Sequence, residues 1–510
     1  MRAFLKLLGG VLAVALLLVA WIALTPLPLP ENRFTTPGWI GPVHVVDVES
    51  GTVSRDRVLR IEGGRIAEIL DAATLDPSVR PEGPPGAYVL PGLWDMHAIL
   101  LRYSRALDHP AHLAHGVTRL RNILDCPAEG AVNLYPCMHD KRAWNEDVRA
   151  GRLAGPIVME SGSYPLNGPG RPHPDMHPVY SAADAEGARA LVRHHMARPG
   201  RSDHLKSYDR LPRDAFLALV EEARALGSSV SGHVPHAVAV LEAARAGMRS
   251  IAHGRSLPVA CSAEEPRIIE LRLARAPQAE WMRAALDGHD PARCDATLRE
   301  LAALGTYLSP TLVTRWNETR DGLAALGTAG AKSLTPPLIA LLWQEDTAEL
   351  DTRTAEEEAL FRRFFEAAAD RVREAEAAGV PLLLGTDTWE PGVLPGAGMH
   401  SEIGLWRDAG LPPAAILRAM TLTAARYHGL EATHGRVAPG HVADLVFTAG
   451  DPLRDLSVLA TPAAVMQEGR LYDRAALDGL LAHAREVAGS WRLSVHILRD
   501  FTRNPRGFGN

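Results

Sequence analysis

The chain has 510 residues, 22% of them charged and 46% hydrophobic, and a formal net charge of −6 with histidine neutral. That balance is ordinary for a folded globular protein with room for more than one domain, and it argues against a disordered or low-complexity chain. With no long basic run, nucleic acid is excluded as an expected partner.

Taken from the start, Arg2 and Lys6 precede an uncharged apolar stretch over residues 7–24, followed by Thr25 and a proline-rich linker that ends at Pro30. Its length suits one bilayer-crossing helix. The positive flank keeps the N-terminus cytoplasmic and exports the rest of the chain. The expected location is therefore the cell membrane, single-pass, with that remainder periplasmic or extracellular. Secretion after signal cleavage is the alternative, opposed by the lack of a convincing small-x-small site between the apolar run and Glu31. Export gives the four cysteines a meaning: Cys126 and Cys137, and Cys261 and Cys294, are near in sequence and suited to two local disulfides. No C-x-x-C spacing supports a cysteine zinc site.

Residues 31–87 read as the first part of a small β unit, with short strands at 43–48, 57–61 and 65–69 and turns at Gly51 and Gly63-Gly64. From 88 to 428 the pattern becomes strand–helix alternation. After an opening strand that leads to Leu93-Trp94, apolar runs fall at 117–124, 156–159, 204–208, 228–233, 250–253, 306–312 and 381–387. Helical stretches such as 212–226, 237–246 and 356–378 separate them. Eight strands with intervening helices predict an α/β fold, a parallel (β/α)8 barrel of the TIM type. An open doubly wound sheet is the runner-up, but no Gly-x-Gly-x-x-Gly loop follows an early strand. Residues 429–485 return to short strands at 443–448 and 463–467. They are expected to pair with the N-terminal unit as a composite β-sandwich, since each piece alone is too small to be stable. The tail, 486–510, has a strand-like run at 492–498 and a polar end expected to be mobile.

Polar residues stand at the strand ends: His97, Lys206, His233, His253 and Asp387. In a barrel these ends share one mouth, and imidazole, carboxylate and a modified lysine are ligands for borderline divalent metals. A lone strand-end histidine is commonly a hydrogen-bonded rim residue; five such groups at five strand ends point to a site. Softer candidates are His109, His112 and His115, expected on a solvated helix face, and His173 and His177 in a Gly/Pro loop. His400 and Glu402 are expected near the site at a helix start.

These segments resemble the amidohydrolase superfamily, in its imidazolonepropionase-like and prolidase-like branch of metal-dependent hydrolases. The likeness runs through Pro91–His97, Gly116-Val117-Thr118, 203–208, 231–236, Ser250-Ile251-Ala252-His253-Gly254, Leu384-Gly385-Thr386-Asp387-Thr388, 421–430 and 440–446. It implies one or two divalent metals, usually zinc. One site would use the first-strand histidines and Asp387, the other His233, His253 and Lys206, the lysine as a carbamate formed with carbon dioxide. Asp387 would act as general base and then acid, and Tyr208 would contact substrate or oxyanion. Implied substrates are dipeptides, N-acyl amino acids and cyclic amides. The chain departs from the pattern at one place: where His-x-His is expected it has His97-Ala98-Ile99. Three readings stay open, a one-metal hydrolase, a two-metal enzyme with a replacement ligand, and a catalytically silent binding or scaffold protein. An esterase or lactonase of the same fold is a neighbouring alternative.

Overall fold

Glycine turns and alternating apolar residues build the first sheet of the computed structural model, which describes residues 24–126, 134–169, 180–326 and 332–503. β1 (Trp39–Asp47) pairs antiparallel with β2 (Thr52–Glu62), and β2 with β3 (Arg65–Asp71). Glu62 pairs with Arg65, so Gly63 and Gly64 form the loop, with φ of 56° and 76°. Positive φ at both central residues matches the twist of a tight hairpin, and glycine adopts it without a Cβ clash. β4 (Tyr88–Pro91) lies parallel to β1.

Tyr88 therefore does not open the barrel. β4 closes the N-terminal half of the sheet, and the barrel begins after Gly92 with β5 (Leu93–Ala98). The chain passes so near β6 at this point that a Cβ on Gly92 would collide with the Thr118 side chain. β5, β6 (Val117–Asn122) and β7 (Ile157–Ser161) form one parallel sheet. β8 (Leu205–Ser207), β9 (Val230–Gly232), β10 (Ser250–Ala252) and β11 (Tyr307–Ser309) form a second.

Two seams join these sheets into a ring. Ser163 N donates to His204 O at 2.8 Å between β7 and β8. On the other side the extended stretch 382–388 bridges Leu308 through Leu382 and Ala98 through Thr388, and takes the eighth place. Helices cover the outside, among them Arg213–Ala225, Pro291–Leu304 and Ala355–Ala377. Their ends carry the expected signals: Asp290 caps Ala292 and Arg293, Gly305 takes the left-handed C-terminal position, and Thr354 with Glu357 forms a capping box.

The chain then returns to the first sheet. β12 (Leu445–Thr448), β13 (Ala464–Gln467) and β14 (Arg470–Asp473) extend it through β12, which pairs with β4. The two terminal β segments thus share one seven-stranded sheet, whose core includes Ile40, Leu59, Val89, Leu445, Phe447 and Met466.

The strand expected at 492–498 is a helix, Trp491–Arg503. Its apparent alternation is a helical stripe: Leu493, His496, Ile497 and Asp500 are buried at spacings of three and four. Both cysteine pairs are disulfide-bonded, Cys126 to Cys137 and Cys261 to Cys294. The predicted membrane segment lies outside the described residues except for Leu24; among the described residues no helix is long and apolar enough to cross a membrane.

Candidate active site

The site is assembled at the C-terminal ends of the barrel strands, where such barrels keep reacting groups. β5 delivers His97 at its end. Asp95, fully buried two residues earlier, accepts hydrogen bonds from His97 N (3.1 Å), Thr386 N (3.1 Å) and Thr386 Oγ1 (2.7 Å). Burial raises the Asp95 carboxyl to about 7 in spite of those bonds. The carboxyl ties β5 to the eighth stretch and so sets His97 against Asp387, with Nε2 and Oδ1 3.3 Å apart. Gly385 makes the approach possible, because a Cβ there would lie 2.5 Å from His97 Cβ.

Two further imidazoles complete the cluster. His233 follows β9 and His253 follows β10, and their Nε2 atoms are 2.9 Å apart. The Nδ1 atom of each ring has its own contacts. His233 Nδ1 is 2.8 Å from Asp209 Oδ1, and His253 Nδ1 is 2.7 Å from Thr311 Oγ1 and 3.7 Å from Asp387 Oδ2. Burial acts to raise the Asp209 carboxyl, but the charge of Arg255 and the hydrogen bond from His233 hold it well below the usual range. Arg255 Nη2 donates to Asp209 at 3.0 Å. As a carboxylate Asp209 only accepts, so His233 carries its proton on Nδ1 and leaves Nε2 bare. Burial lowers the pKa of His233 to about 4, and that of His253 well below the imidazole norm. Both rings are therefore neutral, as metal ligands must be.

His97, His253 and Asp387 bring one donor atom each to within 4.8 Å of one another, all three buried. His97 Nε2 is buried without a hydrogen-bond partner among the described residues. Imidazole nitrogens converging beside a carboxylate are the arrangement that a cation would complete. The donor set of nitrogen and oxygen fits zinc or a similar divalent ion. Three non-glycine residues here have left-handed backbone, His253 (φ 67°), Thr311 (φ 42°) and Asp387 (φ 62°). Such strain gathers where the surrounding structure holds a functional geometry.

A cavity of about 390 Å³ opens above the cluster, lined by Lys206, Tyr208, His233, His253 and Asp387, with Ile99 in its wall. Lys206 lies within β8, and burial lowers its amine pKa. The Tyr208 ring stacks on His233 at 4.3 Å between centroids. Burial raises the Tyr208 phenol, which keeps its proton. Thus Lys206, Tyr208, His233, His253 and Asp387 meet at one cavity, and His97 touches it through Asp387.

The softer candidates go elsewhere. His109 and His112 are not on a solvated face: both are fully buried in helix Asp108–Ala114, which packs against helix Arg474–Gly489. His115 is half-buried, its ring 5.5 Å from that of His400, away from the cavity. His173 and His177 lie outside the described residues. Sequence reasoning misses Asp209, Arg255 and Thr311. Asp209 and Arg255 immediately follow the segments 203–208 and 250–254, a local signal that could have marked them, whereas Thr311 is linked to His253 only through the fold.

A family model described as "Amidohydrolase family" matches residues 210–472. No curated protein matches the chain. Among solved structures, a bottromycin amidohydrolase is 25% identical, with 90% of this chain and 92% of that chain covered and a TM-score of 0.68. A putative prolidase from Bifidobacterium longum is 21% identical, covering 89% of this chain and 100% of that one, with a TM-score of 0.59. An Xaa-Pro dipeptidase with methionine bound in its active site is 18% identical, covering 85% and 99%, with a TM-score of 0.56. At their lower identity the last two speak for the fold alone.

Proposed function

The chain belongs to the amidohydrolase family, and we propose that it is a membrane-anchored, exported hydrolase that cleaves a C–N bond with one divalent metal ion. The observation that carries this reading is the pair of Nε2 atoms on His233 and His253, 2.9 Å apart in the same cavity as Asp387 and Lys206. His233, His253 and Lys206 would hold the ion, and Asp387, with His97 beside it, stands in the same cavity. Zinc is the expected metal. A lysine amine is a poor ligand, but its carbamate with carbon dioxide is an anionic oxygen donor. Burial of Lys206 favours the neutral amine that forms it.

When bound, such an ion acidifies water and polarises a carbonyl. The chain's own groups do the rest. Asp387 takes the proton of the attacking water and returns it to the leaving nitrogen, as base and then acid. Tyr208, kept protonated by burial, donates to the oxygen on which negative charge develops. Ile99 offers no lone pair to the cavity, which supports one ion rather than two.

Dipeptides, N-acyl amino acids and cyclic amides are the proposed substrates. Support comes from the likeness to the bottromycin amidohydrolase and from a cavity in the usual range for a small ligand. Export is supported by the charge pattern of residues 1–24 and by the two disulfides.

The test is hydrolysis of a panel of those three classes, with esters and lactones added, by the full chain with zinc and bicarbonate. We expect at least one amide to be cleaved, the activity to be lost with chelator and to return with zinc. A metal-loaded protein that cleaves no member would leave the silent binding or scaffold reading.

A further inference from the structure

A second layer of contacts behind His253 comes from two elements distant in sequence. β10 and β11 are parallel neighbours, with Ala252 opposite Ser309, and the pairing continues past the strand ends. His253 N donates to Ser309 O at 2.8 Å and Gly254 N to Pro310 O at 2.7 Å. Thr311 is thereby brought alongside His253, fully buried, with its hydroxyl 2.7 Å from Nδ1.

The proton inventory around Thr311 allows it to accept in that hydrogen bond. Thr314 Oγ1 donates to the Thr311 carbonyl at 2.9 Å, which uses its one proton. Thr311 Oγ1 lies 3.4 Å from Thr314 Oγ1, which can then only accept. The Thr311 hydroxyl thus has an acceptor for its own proton in Thr314 and can offer a lone pair to His253. With His253 Nδ1 as the donor, Nε2 is left bare toward His233.

Thr311 reaches this position at φ 42° and ψ 55°, a conformation that a β-branched residue rarely adopts. Something must hold it there. Leu312 N and Val313 N, immediately following, donate to the two oxygens of Glu402 at 2.8 and 2.7 Å. Trp406 Nε1 donates to Glu402 at 2.6 Å, and Glu402 is fully buried. The carboxyl on helix Ala397–Asp408 thus fastens the chain just beyond the left-handed residue.

We propose that Thr311 is a positioning residue that fixes His253 as the Nδ1–H tautomer with Nε2 free for a metal, and that Glu402 holds Thr311 in the conformation this requires. The inference rests on the proposed metal function and deepens it. A histidine ligand whose outer nitrogen lacks its partner loses about 10–100-fold in metal affinity.

The experiment measures zinc affinity by chelator competition, and the visible spectrum of the cobalt-loaded protein, in the full chain with bicarbonate. Thr311→Val keeps the shape and β-branching and removes the hydroxyl; we expect affinity to fall about 10–100-fold with an altered cobalt spectrum. Thr311→Ser restores the hydroxyl and should return affinity to near that of the parent chain, a rescue that a purely steric role would not give. Thr314→Ala frees the Thr311 proton to turn toward His253 and should weaken binding in the same direction, by less. Glu402→Gln, which keeps one acceptor oxygen, should give an intermediate loss. Parent-like affinity and spectrum in Thr311→Val would overturn the inference, as would failure of Thr311→Ser to rescue. Should Thr311→Val not fold, parent-like binding in both Thr314→Ala and Glu402→Gln overturns it. A parent chain that binds neither ion overturns the metal reading itself, and that outcome is distinct from the others.

Discussion

Ile99 shows how much one side chain can decide. It lies two residues past His97 in the cavity wall, its backbone N donating to Thr388 O at 2.6 Å, and its aliphatic surface cannot ligate. Ile99→His adds an imidazole there and is expected to raise bound zinc from one toward two ions per chain, read by elemental analysis; a count that stays at one would show that the wall cannot bring that ring to the site. Asp387→Asn removes the proposed base and should lower turnover by about 10²–10⁴-fold with unchanged far-UV circular dichroism. Turnover within a few-fold of the parent would contradict the role given to Asp387.

The grouping of His97, Lys206, Tyr208, His233, His253 and Asp387 is legible in the sequence, because each stands in or just after an apolar run. The residues that orient them are less so. Asp209 acts on His233 across 24 positions and Thr311 on His253 across 58, and only folding brings such pairs together.

Among the elements, the helix Asp108–Ala114 carries the clearest pH dependence. Burial lowers His112 to about 3, and His109 to about 4. Their folded values lie below the unfolded value of about 6.5, so the stabilisation is complete above that pH and is lost as pH falls toward 3–4. For His112 the loss is on the order of several kcal/mol. The buried Asp108, raised to about 6, acts in the opposite sense. A difference measurement separates them. His112→Asn can keep an acceptor for Gly396 N, which donates to His112 Nδ1 at 3.1 Å, and it cannot be protonated. Its stability should fall less steeply than the parent's between pH 6.5 and pH 4; parallel curves would mean that His112 is protonated in the fold. This helix misleads a reading of the sequence because three histidines at i, i+3 and i+6 look like a polar face, whereas the helix Arg474–Gly489 packs against it. Helix Trp491–Arg503 misleads for a different reason: a mixed run of seven residues satisfies both periods, and length decides between them.

At the scale of the whole molecule, two β segments from opposite ends of the chain make one sheet, and the barrel between them is closed by the stretch that carries Asp387. That arrangement is readable from strand–helix alternation and from the instability of two small β pieces alone. The start of the first barrel strand is not, because the apolar run through Leu90 and Leu93 does not reveal that Gly92 separates two sheets. The helices between β10 and β11 are joined by Cys261–Cys294, which closes a 33-residue separation. Loop-closure entropy predicts that the Cys261→Ser, Cys294→Ser double variant loses about 3–4 kcal/mol in reversible denaturation; an unchanged midpoint would show that the native contacts alone hold those helices.

The central claim, one divalent ion between His233 and His253, is tested most directly by the metal content of the full chain purified with zinc and bicarbonate. The account predicts close to one zinc per chain, lost in both His233→Ala and His253→Ala. A folded protein that retains no zinc, or one that keeps it in both variants, would contradict it.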